Sequence, residues 1–463
     1  GTQAALDLAV REVVARSEGR LAIEDAQGSL LSTVRVGRIA WTGPETEVEA
    51  HDVALDWSPL ALVELRVHIR GLGARTVVVA VKASDAATAP PPALALPYPV
   101  AIDRVAVGRL DWVLGPRSGH VNGLAFGYSG DARGHEIRDV AFVFDRGRLT
   151  GRATLGANAP LALAGEFAFA GDADLAGIEA KATLAGTLAD VAVDASGRAR
   201  GATLRARAGL TPFARSAIGS ATIDLADADF AAIDAQWPAT AIDARVTLKP
   251  TGRGFAGALE AANRAAGAID AGAMPVASLS ASYAIDGDAL ALDGIVASLA
   301  GGGIARGRAS VALASSALTG TLDVADVDLA RIHGRLVSTR IAGRVDATLD
   351  ANVQRVRADL SDRTRGISAA FDATIADRRV AVSQLRATAS DARLTGEGTI
   401  ALDGTLAFDA RATLSRFDPS RFGAFPKGSL DGRVDASGAL AAPWRANVDA
   451  SLVDGSRLSG VAL

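Results

Sequence analysis

Apolar and polar residues alternate one by one along most of this 463-residue chain, which is the period of a β-strand with one apolar face. In the clearest runs, Asp, Arg or Thr occupies most positions between the apolar residues. The apolar sets are Ile242, Ala244, Val246 and Leu248; Val345, Ala347, Leu349, Ala351 and Val353; Leu406, Phe408, Ala410, Ala412 and Leu414; and Val448, Ala450 and Leu452. The pattern predicts an antiparallel meander in which each set shares one face of the sheet.

Turn signals separate these runs. Asp-Gly dipeptides favour hairpin turns, and they occur at 286–287, 293–294, 403–404, 431–432 and 454–455. A longer break at residues 84–99 contains five prolines and predicts an irregular or extended loop between sheet segments. A proline-rich ligand for another domain is the less favoured interpretation of this segment.

The first residues of the chain follow a helical period instead. Apolar residues with this spacing are Leu6, Ala9, Val10, Val13 and Val14. They predict a helix over residues 2–16 that ends before Gly19. Two roles are open for it: a cap over the end of the sheet, or a short amphipathic segment that emerges from a membrane anchor.

A three-fold repeat is superimposed on the alternation. Asp229, Asp328 and Asp418 each precede a short apolar or polar turn and then a strand that contains Arg-Val. Each Asp is expected to cap a short helical turn. The Asp residues lie 99 and 90 residues apart, which leaves room for about five strands of about 20 residues per unit, turn included. We therefore expect a sheet that grows along one axis, with one short crossover per unit.

The hydrophobic content of the chain bears on what its apolar face could do. Hydrophobic residues make up 49% of the chain and the mean hydropathy is +0.22, yet no run approaches the roughly 18 to 20 apolar residues of a membrane span. The apolar residues must therefore form a face, which has to curl on itself, meet a second sheet or hold an apolar ligand. Because Ala dominates the inward positions and aromatics are only 5%, we favour an open trough.

Charge and cysteine content exclude several classes of partner and site. The formal net charge is -4 with both signs interspersed, and the absence of a basic stripe argues against nucleic acid. Zero Cys excludes disulfides and thiolate metal sites, and it is compatible with the bacterial periplasm. The chain opens with Gly1, so we expect that an upstream targeting or anchor segment has been removed.

The candidate catalytic and binding motifs are weak. Residues 252–257 match a dinucleotide pattern, but Pro250 precedes them and no βαβ unit surrounds them. Asp227, Asp229, Asp326 and Asp328 could suggest calcium, although helix caps and solvated strand positions are the favoured interpretation. The five histidines are scattered without metal-ligand spacing: His51, His68, His120, His135 and His333. We predict no catalytic centre, no metal and no cofactor, and hence a protein that is not an enzyme.

Several segments resemble the TamB family of AsmA-like, repeating β-groove proteins. The sequences GSLL at 28–31, LDWSPLAL at 55–62, LRVHI at 65–69 and PVAI at 99–102 are similar to the start of that family. FDP at 417–419 and GALAAP at 438–443 are similar to its repeats. The similarity spans most of the chain.

This resemblance implies an elongated, curved antiparallel sheet of the β-taco type in a periplasmic protein anchored in the inner membrane. The implied role is the movement of phospholipid towards the outer membrane. A second implied role is the assembly of outer-membrane proteins with a TamA-like barrel partner. We expect the family's membrane helix and its partner-binding C-terminal domain to lie outside this sequence.

The sequence therefore predicts an all-β protein with a short N-terminal helix. Its expected segments are the helix at 1–20, a groove segment at 21–83, the proline-rich loop at 84–99 and groove repeats at 100–463. The predicted groove-lining residues are Ile242, Val246, Leu248, Val345, Leu349, Val353, Leu406, Phe408, Leu414, Val448 and Leu452.

The leading functional hypothesis is a passive lipid conduit. The alternative is a scaffold or chaperone that presents sheet edges to unfolded outer-membrane strands. Lipid bound to the purified protein would favour the first, and saturable binding of strand peptides would favour the second. A hydrolase is a distant third hypothesis.

Overall fold

The protein is all-β with a short N-terminal helix, as the alternation predicted. The computed structural model describes residues 3–82, 89–115, 117–144, 146–172, 175, 177–334, 336–402, 405–421, 426–439, 441, 445–459 and 461–462. The chain divides into two units, residues 1–224 and 225–463.

The first unit contains one helix and a series of long strands. Its elements are α1 (Gln3–Arg16), β1 (Leu21–Glu24), β2 (Gln27–Gly28), β3 (Thr33–Thr42), β4 (Thr46–Trp57), β5 (Val67–Val81), β6 (Val100–Leu114), β7 (Arg117–Gly130), β8 (Gly134–Phe144), β9 (Gly147–Gly156), β10 (Ala162–Gly171), β11 (Glu179–Thr187), β12 (Asp190–Ala199) and β13 (Ala202–Leu210). The boundary between the units falls within β14 (Ile218–Ala228).

The second unit repeats the strand architecture. Its elements are β15 (Ile242–Pro250), β16 (Gly254–Asn263), β17 (Val276–Asp286), β18 (Ala289–Leu299), β19 (Ile304–Ala312), β20 (Ala317–Val327), α2 (Leu329–Ile332), β21 (Ile341–Leu349), β22 (Val353–Asp362), β23 (Ile367–Ala376), β24 (Arg379–Ala389), β25 (Ala392–Ala401), β26 (Ala407–Phe417), β27 (Gly428–Ala439), β28 (Arg445–Leu452), β29 (Arg457–Leu458) and β30 (Val461–Ala462). Short 3-10 turns lie at Pro59–Glu64, Ile269–Ala271 and Pro419–Arg421.

Strands pair mostly with their neighbours along the chain and run antiparallel. The exception is the parallel pair β5–β6, because the long proline-rich connection returns the chain to the end at which β5 began. The described part of this connection, residues 89–99, runs past other strand ends. There Leu94 N–H donates to Ala157 O at 2.7 Å, and Leu96 N–H donates to Asp131 O at 3.3 Å. Residues 84–88 of the predicted loop lie outside the described residues.

The N-terminal helix covers the apolar face at the start of the first unit. Leu6 is only 3% exposed and packs with Val34, Val36 and Val53 of β3 and β4. Leu8, on the other side of α1, is 64% exposed. This packing supports the capping role among the two that the sequence left open.

The repeat is built on an Asp whose carboxylate closes each crossover. Asp328 Oδ1 accepts hydrogen bonds from Ala330 N at 3.1 Å and from Thr339 N at 3.0 Å. Thr339 Oγ1 in turn donates to Val327 O at 3.1 Å. The backbone N–H of Thr339, as the largest contribution, lowers the pKa of Asp328. The predicted cap is therefore confirmed, and it also fastens the far end of the crossover.

The other two repeats use the same contact. Asp229 Oδ1 accepts from Ala231 N at 3.1 Å and from Thr240 N at 3.0 Å. Asp418 Oδ1 accepts from Ser420 N and from Gly428 N, both at 3.1 Å. Residues 422–425, which follow Asp418 in the third repeat, lie outside the described residues. These carboxylates are occupied by backbone donors, which supports caps over calcium ligands.

Not every Asp-Gly pair makes a hairpin. Residues 286–287 and 454–455 do lie at turns, whereas Gly294 (φ +59°) lies within β18 at a register shift. Residues 431–432 lie within β27, opposite a bulge in β26 where Asp431 Oδ1 accepts from Arg416 N at 2.8 Å. The hairpin prediction was wrong at these two positions because a positive φ at Gly serves a bulge as well as a turn. Residues 403–404 lie outside the described residues.

Candidate functional site

The candidate site is an apolar face that runs across the strands of each unit. In an antiparallel pair, directly opposed residues project from the same face of the sheet. In the second unit the register therefore joins one continuous row over β18–β28. The row consists of Ile295, Gly307, Leu322, Val345, Ala358, Phe371, Leu385, Gly396, Ala412, Val434 and Ala450. Every member is apolar or Gly.

The same face begins at β15 in this unit. Val246 lies opposite Leu259, which lies opposite Ala281 of β17. The first unit has comparable rows of its own. One consists of Trp41, Val48, Val79 and Trp112, and another of Phe142, Leu149, Phe169, Ala180, Gly197 and Leu204. Each unit thus carries an in-register apolar face, as the period of two predicted.

These faces are not buried in compact cores. The chain exposes 27683 Å², whereas two separate compact domains of half its 47.0 kDa would together expose about 20,000 Å². Most side chains of the rows are half-buried, and the buried apolar residues among those described are mainly Val and Ala. Such a surface is an open sheet face lined by apolar side chains.

Nine of the eleven predicted lining residues lie on the apolar face. They are Ile242, Val246, Leu248, Val345, Leu349, Phe408, Leu414, Val448 and Leu452. Leu414 is 7% exposed, and Val448 in β28 is 64% exposed. Their contact with a ligand stays a prediction.

The prediction was wrong for the face of Val353. Leu349 lies opposite Gln354, so Val353 projects from the other side of the sheet. The cause is a turn at Asp350, whose carboxylate accepts from Asn352 N at 2.8 Å and from Val353 N at 2.7 Å. The alternation read from the sequence crosses this turn, where the phase resets.

Leu406 also departs from the predicted strand. It precedes β26 and has φ +49°, so it does not share the regular strand geometry of Phe408. Leu385 and Phe371 also lie on the apolar face, but the alternation in the sequence did not predict them. In β24 a register shift separates Val382 from Leu385, so their shared face appears as a break in the alternation. The sequence did contain a signal of this bulge, because the alternation of apolar residues changes phase between Val382 and Leu385.

The opposite face is polar, and several of its charges are paired across strands. Arg357 donates to Asp372 at 2.6 Å, and Arg344 donates to Asp323 at 3.0 Å. In each pair the Arg hydrogen bond is the largest contribution that lowers the pKa of the carboxyl. Arginine keeps these carboxylates ionised, which does not suit a general acid at neutral pH.

A cavity on this face is polar as well. A cavity of about 670 Å³ over β24–β28 is lined largely by alternating polar residues, with Arg411 between Glu397 at 3.9 Å and Asp435 at 3.3 Å. Such a lining is unsuited to acyl chains. Across the part of the chain that the structure describes, no group of three or more His, Cys, Asp or Glu residues could hold a metal ion.

Comparison with known proteins bears on the first third of the chain. The family model described as TamB, N-terminal domain, matches residues 1–138. No curated protein and no solved structure matches the chain. A search of the described residues finds no helix that is both long and apolar enough to cross a membrane.

Proposed function

We propose that this chain is a non-enzymatic carrier of phospholipid. The match of residues 1–138 to the TamB N-terminal domain supports assignment of the chain to the TamB family. The family and the open β-sheet fit a bridge-like transport role for lipid or protein. In the proposal, phospholipid moves along the apolar face from the inner to the outer membrane. The observation that carries it is the in-register apolar row over β18–β28, which is wide open yet lacks any charged residue.

The energetics favour lipid as the occupant. A diacyl lipid has roughly 30 methylenes, so its transfer from water to an apolar trough gains on the order of 20 kcal/mol at about 0.8 kcal/mol each. A lipid that finds the same surface on every strand moves with little change in free energy. A charge on the face would instead create a barrier.

The cellular setting is part of the same proposal. The TamB family suggests the cell envelope, and the family generally works with TamA at the outer membrane. For this chain we propose a periplasmic location, inner-membrane anchoring in the full-length protein, and a TamA-like barrel partner engaged through a segment outside this sequence.

The direct test is native mass spectrometry of the purified chain for co-purified phospholipid. Phe408→Arg places a charge on the apolar face, and its matched control Asp409→Arg places the same charge one residue along on the exposed polar face. We expect lipid to co-purify with the parent and with Asp409→Arg, and to be depleted in Phe408→Arg. A parent protein that is free of lipid after gentle purification would contradict the proposal.

One observation favours a second candidate, a scaffold for outer-membrane protein assembly. Strand β28 pairs with β27 through all eight of its residues, and within the described residues no strand pairs with its other edge. A free edge can accept an extended segment by β-augmentation. Saturable binding of barrel-strand peptides to a lipid-free chain would support this role over the conduit.

A further inference from the structure

Exposed apolar side chains cluster at one end of the first unit. The 3-10 turn Pro59–Glu64 projects Leu60, which is 79% exposed, and Val63, which is 83% exposed. Further members are Leu31, Leu62, Leu65 and Tyr98, each about half exposed or more. We call these six residues the apolar rim. Apolar clusters at this level of exposure on a soluble surface normally mark a site of interaction.

The register places the rim residues at the same strand ends. Leu31 lies in the turn between β2 and β3, and Thr33 at the start of β3 lies opposite Asp56 near the end of β4. The 3-10 turn follows β4 directly, and Val67 N–H then donates to Pro99 O at 2.9 Å, which brings Tyr98 alongside. The rim is therefore one feature made from three segments of chain.

The turn is held in place, so the exposure of its side chains is built into the fold. Ala61 is 5% exposed and anchors the turn from beneath. Ser58 N–H donates to His68 O at 2.8 Å, and Leu65 N–H donates to Leu62 O at 3.0 Å. Leu65 itself has φ +54°, a conformation that costs a branched residue energy and that the surrounding contacts enforce. Leu60 and Val63 consequently point outward on a rigid support.

We propose that the apolar rim inserts into the surface of a lipid bilayer. The six side chains are each about half exposed or more, and a deformable apolar phase accommodates such side chains without a complementary shape. Tyr98 has the amphipathic character of residues at membrane interfaces. The nearby carboxylates are neutralised, since Glu64 pairs with Arg66 at 2.7 Å and Asp56 with Arg70 at 2.5 Å. These two carboxylates are thus offset by arginines, which favours contact of the rim with an anionic lipid surface.

The rim also leads onto the apolar face. Val67 and Ile69 follow it in β5 and lie beside Val100 and Ile102 of β6, so only one face residue separates Leu65 from Ile69. This step rests on the proposed function, because it makes the rim the place where lipid leaves a bilayer for the trough. Bilayer docking itself does not depend on transport.

The test is co-flotation of the full 463-residue chain with vesicles of phosphatidylethanolamine and phosphatidylglycerol. The double variant Leu60→Asp/Val63→Asp should lower vesicle binding by at least about tenfold, because charged residues resist entry into the membrane. Leu313→Asp/Val453→Asp is the matched control, since those residues are 45% and 59% exposed in the second unit, the first on a turn and the second just before one. It should bind as the parent does.

The possible results distinguish bilayer docking by the apolar rim from lipid transport along the apolar face. Equal binding of the two double variants, or no binding by the parent, overturns the proposal. So does a dimer of the parent that Leu60→Asp/Val63→Asp dissociates without any vesicle binding, because the occupant is then a second copy. Phospholipid that co-purifies with a chain that does not bind vesicles leaves the proposed function standing while the rim fails. A blue-shifted fluorescence of Leu60→Trp that appears only with vesicles would independently support insertion.

Discussion

Phe167 of β10 lies directly opposite Gly151 of β9, and its ring occupies the space that a side chain at that position would need. A Cβ on Gly151 would come within 2.4 Å of the Phe167 ring. Trp112 covers Gly119 in the same way, at 2.5 Å. A large ring that packs over the opposite Gly covers both positions with one side chain, so it extends the apolar face and shields the backbone of the Gly from solvent.

Gly151→Val should therefore destabilise the first unit by about 1–3 kcal/mol, because the new side chain drives Phe167 from its position. Urea denaturation measures the loss. Thr150→Val, on the exposed polar side of the same strand, is the control and should stay within about 0.5 kcal/mol of the parent. If the combination Gly151→Val/Phe167→Leu is no more stable than Gly151→Val alone, the loss does not come from the Phe167 ring but from the backbone oxygen of Glu166, which would lie 2.6 Å from the same Cβ.

The face was predictable from the sequence wherever a strand is regular. Val345 and Leu349 were placed correctly because β21 alternates without interruption, and a period of two needs no tertiary information. The predicted face was wrong for Val353 because a turn at Asp350 precedes it, and Leu385 was not predicted because it follows a bulge in β24. The Asp350 turn is a local contact that interrupts the alternation, whereas the bulge in β24 depends on its pairing with β25, which the linear pattern does not contain.

Contacts that depend on the pairing of strands could not be predicted from the sequence either. The Asp328 cap could be predicted from the residues that follow it, but its second contact, with Thr339, lies eleven residues away. The Phe167–Gly151 relationship requires the register of two strands. The local cap at Asp328 was therefore predicted, and the contacts set by tertiary register were not.

The helix α1 should be a stabilising lid on the first apolar face. Leu6→Ala removes a side chain that is 3% exposed and should cost about 2–5 kcal/mol, measured by thermal or urea unfolding. Leu8→Ala, at a position 64% exposed, should change stability by less than about 0.5 kcal/mol. Similar losses for both variants would mean that α1 is not held through its Leu6 side.

The Asp328 cap should make stability depend on pH in a defined direction. Its folded-state pKa is lowered, chiefly by the Thr339 N–H, so the ionised form stabilises the fold at neutral pH. This contribution is present above the unfolded value of about 3.9 and is lost as the pH falls through the lower folded pKa. Asp328→Asn should therefore melt at a lower temperature than the parent at pH 7.

The difference should shrink as the pH falls below about 4, because the carboxyl becomes neutral first in the unfolded chain and then, below its lowered pKa, in the folded protein. Asp409→Asn is the control, since Asp409 lies exposed in β26 and no capping contact involves it among the described residues. Melting curves from pH 3 to pH 7, as an approximate range, make the comparison. A constant difference between Asp328→Asn and the parent would show that the charge of Asp328 does not stabilise the crossover.

A single charge on the apolar face should block transport without unfolding the sheet. Leu349 ends β21 on that face, and Thr348 beside it is exposed on the polar face. Leu349→Asp exposes every passing acyl chain to a carboxylate, whereas Thr348→Asp places the same group in water opposite Arg355. Asp350 is unsuitable as the control, because it closes the turn through Asn352 N and Val353 N.

In the full-length protein, Leu349→Asp should reduce phospholipid transfer between membranes by at least about tenfold, if a barrier of about 1.4 kcal/mol or more limits the rate. Thr348→Asp should transfer as the parent does. Circular dichroism and melting temperature must first show that both variants are folded. Transfer by a folded Leu349→Asp at the rate of Thr348→Asp would mean that lipid does not pass along this part of the face. The surface would then have to act as a scaffold, and binding of strand peptides to β28 would be the measurement that decides.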